Sequence, residues 1–119
     1  MWPVEQTAYP LKINKKQVEN LFIKFSYPVV KSAITDHQKK SSLFIAKTVW
    51  VALVSGNDTE EQIYNLLNEI LKGNHEANIQ TGSLYYFKMK AALSDDEIKS
   101  VISYYSIDKN INNLKNWLD

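Results

Sequence analysis

At 119 residues, with 45% apolar and 23% charged side chains, the chain has the size of one globular domain and is too apolar for a disordered segment. Fourteen basic residues, all lysine, stand against thirteen carboxylates for a net charge of +1; this excludes a global field for polyanions and any guanidinium fork for phosphate or guanine. The absence of cysteine excludes disulfide frameworks, thiol nucleophiles, iron–sulfur clusters and cysteine-based zinc sites.

Residues 1–14, with Pro3 and Pro10, read as a short extended N-terminal arm, and residues 15–119 as a single helical domain. Asn14 is followed three residues later by Gln17 and then by Val18, a cap with a side chain able to reach back to it. Two helical candidates lie between Pro28 and Gly56. Val29, Val30, Ala33, Ile34 and His37 share one face of the first, a setting that suits a partly buried histidine. Residues 42–55 form the second, apolar almost all round except along Lys40, Lys47, Thr48 and Ser55, which suits the centre of a bundle. The pattern leaves open whether these are two helices or one running through Ser41 and Ser42. A buried strand over residues 48–54 competes on Val and Trp content, but it has no partner strand elsewhere, so the helix is preferred.

Thr59 with Gln62 opens the next helix, striped by Ile63, Leu66, Leu67, Ile70 and Leu71 and ending at Gly73. Residues 83–93 predict another. Ser94 with Glu97 opens one striped by Ile98, Val101, Ile102 and Tyr105, and residues 110–118 close the chain. No proline follows Pro28, and Gly56, Gly73 and Gly82 read as stops between helices. The expected fold is all-α: a single compact helical bundle of about six helices around residues 43–54.

That central run is broken by Lys47 and Thr48 and falls short of the roughly twenty residues of a membrane span. The first residues lack the basic and apolar regions of a signal peptide. A cytoplasmic chain with no membrane partner is expected. The Lys and Asn bias fits an AT-rich coding background and a bacterial source.

Chemistry-bearing patterns are sparse. Asp36 beside His37 could orient an imidazole, but no second histidine lies four residues on and no third ligand stands at a recognisable spacing. His75 reads as a loop residue after a helix end. Glu60-Glu61 and Asp95-Asp96-Glu97 sit in first helical turns, where carboxylates complement the helix dipole. There is no nucleophile elbow and no phosphate-binding glycine loop. No catalytic residue, metal site or cofactor is therefore assigned, and a non-enzymatic protein is expected.

Two uneven distributions remain. Residues 1–47 hold eight lysines and three carboxylates, net +5, while residues 48–119 hold six and ten, net −4. Tyr85-Tyr86-Phe87 and Tyr104-Tyr105 place adjacent rings about 100° apart on a helix, so one ring of each set faces outward. Tyrosine is enriched at binding hot spots. Tyr85, Tyr86, Tyr104 and Tyr105 are therefore the candidate surface of a small protein-interaction or regulatory module, its partner being another protein or a second copy in a homodimer.

The alternative is a helix-turn-helix-like nucleic-acid binder. Thr81-Gly82-Ser83-Leu84-Tyr85-Tyr86 through Leu93 resembles the recognition-helix segment of PadR-type transcriptional regulators over thirteen residues. That resemblance implies base reading by Ser83, Lys88 and Lys90. In that family a winged hairpin follows, whereas here Ser94-Asp95-Asp96-Glu97 opens another helix. Residues 93–105, from Leu93-Ser94-Asp95-Asp96-Glu97-Ile98 to Tyr105, are similar to the last helix of c-type cytochromes. The Cys-x-x-Cys-His attachment of that family is absent, which excludes haem attachment of that kind. Neither resemblance extends over the whole chain.

Overall fold

The computed structural model describes residues 15–105 and 111–118, and the expected arm at 1–14, with its Asn14 cap, lies outside them. Among the described residues the structure is all-helical. Five helices have ten residues or more: α1 (Lys15–Lys31), α2 (Asp36–Val54), α3 (Glu60–Leu71), α4 (Ile79–Ala92) and α5 (Asp95–Tyr104). A sixth, α6 (Ile111–Asn116), has six residues.

The helix starts use one device repeatedly. At Thr59/Gln62 and Ser94/Glu97 the cap side chain accepts from the backbone three residues on, and the third residue's side chain accepts from the cap's own N–H. The same box occurs at Thr35/Gln38, where the expected helix over Val29 to His37 is instead divided. The Gln38 carboxamide oxygen accepts from Ile34 and Thr35 at 2.8 and 3.2 Å, and Thr35 Oγ1 accepts from Gln38 at 3.1 Å. These bonds start α2 at Asp36 and carry it through Ser41 and Ser42 without interruption. Ile34, expected on an apolar face, sits in the break and is exposed.

Two other boundaries move. Pro28 lies inside α1, three residues before its end; its missing N–H costs only the bond to the carbonyl of Lys24, itself an exposed residue. Gly82, expected as a stop, lies inside α4, which starts at Ile79 under an Asn78 cap. A Cβ on Gly82 would stand 3.4 Å from Leu67 and 3.5 Å from Leu71, so its bare face is where α4 crosses α3. Gly56 and Gly73 do act as stops, with φ of +71° and +87°.

The centre is α2, which packs against each of the other five helices. Residues 48–54 are buried without exception, the all-round apolar pattern of the sequence. Phe22 of α1 meets the Trp50 ring edge-on at 5.6 Å, and Phe25 approaches it at 6.2 Å. Ile63, Leu67 and Leu71 of α3, Tyr86 and Met89 of α4, and Val101 of α5 close the core from the other sides. Two of the hydroxyls that enter it are satisfied within their own helices: Thr48 Oγ1 donates to the Phe44 carbonyl and Ser100 Oγ to the Asp96 carbonyl, both at 2.8 Å.

Candidate functional site

α1 and α4 both lean on α2, and between them a groove of about 350 Å³ remains. Its floor is Ala46 and Val49 of α2. Phe25, Pro28 and Val29 form one wall, from the last turns of α1. Tyr85, Met89 and Ala92, at helical spacings of four and three, form the other wall on α4. Lys24 and Lys88 stand at the rim, one on each wall. The Lys88 ammonium lies 5.9 Å from the Tyr85 ring centre and Lys24 lies 6.0 Å from that of Phe25. Lys24 also has Glu97 at 4.0 Å, a loose and partly exposed pair of little energetic weight.

The structure separates the four candidate tyrosines. Tyr85 is half-buried at this groove. Tyr86 is 1% exposed, and its hydroxyl donates to the backbone carbonyl of Asn57. Burial, with a smaller push from the Asp58 carboxylate, raises that hydroxyl to about 12. Tyr86 therefore belongs to the core and is withdrawn from any surface. Tyr104 and Tyr105 border a different hollow with Phe22, Val18 and Trp117. Their rings meet edge-on at 5.0 Å; Tyr104 is exposed and Tyr105 is half-buried. Burial also raises the Tyr105 hydroxyl, against a pull from the Trp50 indole in the other direction.

Ser83, Lys88 and Lys90, the base-reading set of the alternative, do not share a free face. The Ser83 hydroxyl is buried without a hydrogen-bond partner. The Lys90 ammonium lies 3.3 Å from Asp58 and 5.7 Å from the Tyr86 ring centre. Lys88 alone of the three is exposed.

His37, expected as a partly buried histidine on an apolar face, has a side chain 70% exposed. The reason is the Thr35 cap, which places it in the outward first turn of α2. Its partner is Glu76, at 2.7 Å, and not the adjacent Asp36. Ser41 Oγ donates to the second Glu76 oxygen at 3.5 Å, so the start of α2 is tied to the loop before α4. Among the described residues no group of three or more His, Asp or Glu side chains is placed to hold a metal ion. No helix among them is long and apolar enough to cross a membrane.

Sequence reasoning missed Phe25, Pro28, Val29 and Ala46 as site residues. Their composition is that of any core, and only the separation of α1 from α4 turns them into groove lining. No protein-family model, curated protein or solved structure matches the chain.

Proposed function

We propose that the chain is a small non-enzymatic protein-interaction module that receives its partner in the groove between α1 and α4. The observation that carries this reading is an apolar trough of about 350 Å³ walled by two helices, with Tyr85 on its edge. Grooves between helices are a recurrent receptor for apolar side chains of another protein. Tyr85 is the one of the four candidate tyrosines that lines this groove; Tyr104 and Tyr105 border separate hollows beside Trp117. A location in the cytoplasm belongs to the same proposal.

A photo-crosslinking amino acid at Ala92, inside the groove, should give a discrete protein adduct in native lysate. The same group at Glu61, on the exposed outer side of α3, should give none. Adducts at neither position, or equal adducts at both, reject the groove as the docking site. The alternative of nucleic-acid binding has less to draw on, since Lys90 is engaged by Asp58 and Ser83 is turned inward. It would require log affinity to fall by about 0.9 per phosphate contact against log salt.

A further inference from the structure

We infer that the groove's occupant is an amphipathic helix of another protein that carries carboxylates beside its apolar stripe. This rests on the reading of the groove as a docking site and adds the chemistry of the partner. The shape comes first. From Tyr85 to Ala92 the α4 wall rises by about 10 Å, two helical turns. A guest helix presenting apolar side chains at i, i+3 or i+4, and i+7 covers the same distance. Ala46 and Val49 are almost wholly covered at the floor, so such side chains would seat between the half-buried rings of Phe25 and Tyr85, with Met89 an unbranched, adaptable neighbour beneath them.

Charge selects among such helices. Both rim ions are cations, Lys24 and Lys88, and among the described residues no carboxylate lines the groove. Glu97, 4.0 Å from Lys24, and Asp96 stand beside the rim across the neighbouring hollow; the loose Lys24–Glu97 geometry leaves that ammonium able to take a further anion. On the α1 side the same sign extends along the sequence, where residues 1–47 carry eight lysines and three carboxylates; the half that holds α4 is net −4, so on that wall the positive charge is Lys88 itself. Lysines act as point charges without a planar fork, so the rim asks for carboxylates at the flanks of the guest and sets no bidentate geometry. Charges at a rim chiefly steer association and reject partners of like sign.

The test uses the full chain and two labelled helical peptides of about four turns with identical leucine stripes, one flanked by glutamate and one by lysine. Binding is followed by fluorescence anisotropy at low and high salt. The glutamate peptide should bind roughly threefold to tenfold tighter at low salt, the preference shrinking as salt rises. Lys88→Glu should remove or invert that preference. Ala92→Trp, which fills the groove from an exposed position, should abolish binding of both peptides, and Tyr85→Ala should weaken both; circular dichroism checks that each variant is folded. Equal binding of both peptides, or a preference for lysine, overturns the acidic partner while the groove reading stands. Binding of neither peptide, or binding indifferent to Ala92→Trp and Tyr85→Ala, overturns both. A wild-type dimer in sedimentation that Ala92→Trp disperses gives the groove to a second copy and overturns the inference.

Discussion

α4 presents two faces to the rest of the molecule, and they differ in how completely they are closed. On one, the backbone at Gly82 lies beneath Leu67 and Leu71 of α3, and Tyr86 fills the space beyond, its hydroxyl bound to the Asn57 carbonyl. On the other, Tyr85, Met89 and Ala92 face α1 across a gap left open among the described residues. Both faces rest on α2. The difference lies in what faces them: α3 offers Leu67 and Leu71 at contact distance, while α1 offers Phe25, whose ring is turned to Trp50 of α2, and the exposed Pro28. One side is a core and the other a receptor, built from residues of one helix.

The closed face depends most on Tyr86. Tyr86→Ala should cost about 3–5 kcal/mol, through the lost ring and the cavity left behind, and lower the melting temperature accordingly. If the loss were near zero, the closed face would not be closed. Alkali probes the same residue more gently. Its hydroxyl stands near 12 in the folded chain against an ordinary value of 10.0, so the folded state prefers the neutral phenol. Its contribution is intact below pH 10 and is lost as pH rises towards 12, by about 2 kcal/mol. Urea titrations across that window should show the loss in wild type, and Tyr86→Phe should reduce it.

Gly82→Ala should have a smaller effect of opposite sign. The added methyl meets only the ends of Leu67 and Leu71 at ordinary contact distance, so the gain in helix propensity, roughly 0.5–1 kcal/mol, should raise the denaturation midpoint. A loss would mean that α3 and α4 need the bare backbone. The smallest expected change is on the open face. Ala92→Trp should alter stability by no more than about 0.5 kcal/mol, as at other exposed positions, while abolishing the peptide binding described above.

Much of the fold was legible where one local signal acted without competition. The Thr59 and Ser94 boxes, the Ile63–Leu71 stripe and the buried run through Trp50 all describe helices that the structure contains. The reading failed where two local signals conflicted. Apolar spacing from Val29 to His37 argued for one helix, and the Thr35/Gln38 box, present in the same residues, divided it. Pro28 argued for a boundary that the preceding turns of α1 overrode. The site was less legible than the fold. Adjacent rings on a helix implied that one of Tyr85 and Tyr86 turns inward, but not which.

The sequence by itself determined the helical class, the Thr59 and Ser94 caps and the central place of α2, because caps act over three residues and amphipathic stripes over one turn. The tertiary structure alone decided that Tyr86 is core, that Tyr85 is rim, that His37 meets Glu76 and that α1 and α4 leave a groove. Those outcomes depend on the rotational phase of each helix and on how closely its neighbours approach. Phase is set by side chains such as Leu67 against Gly82, which lie far apart in the chain and meet only when it folds.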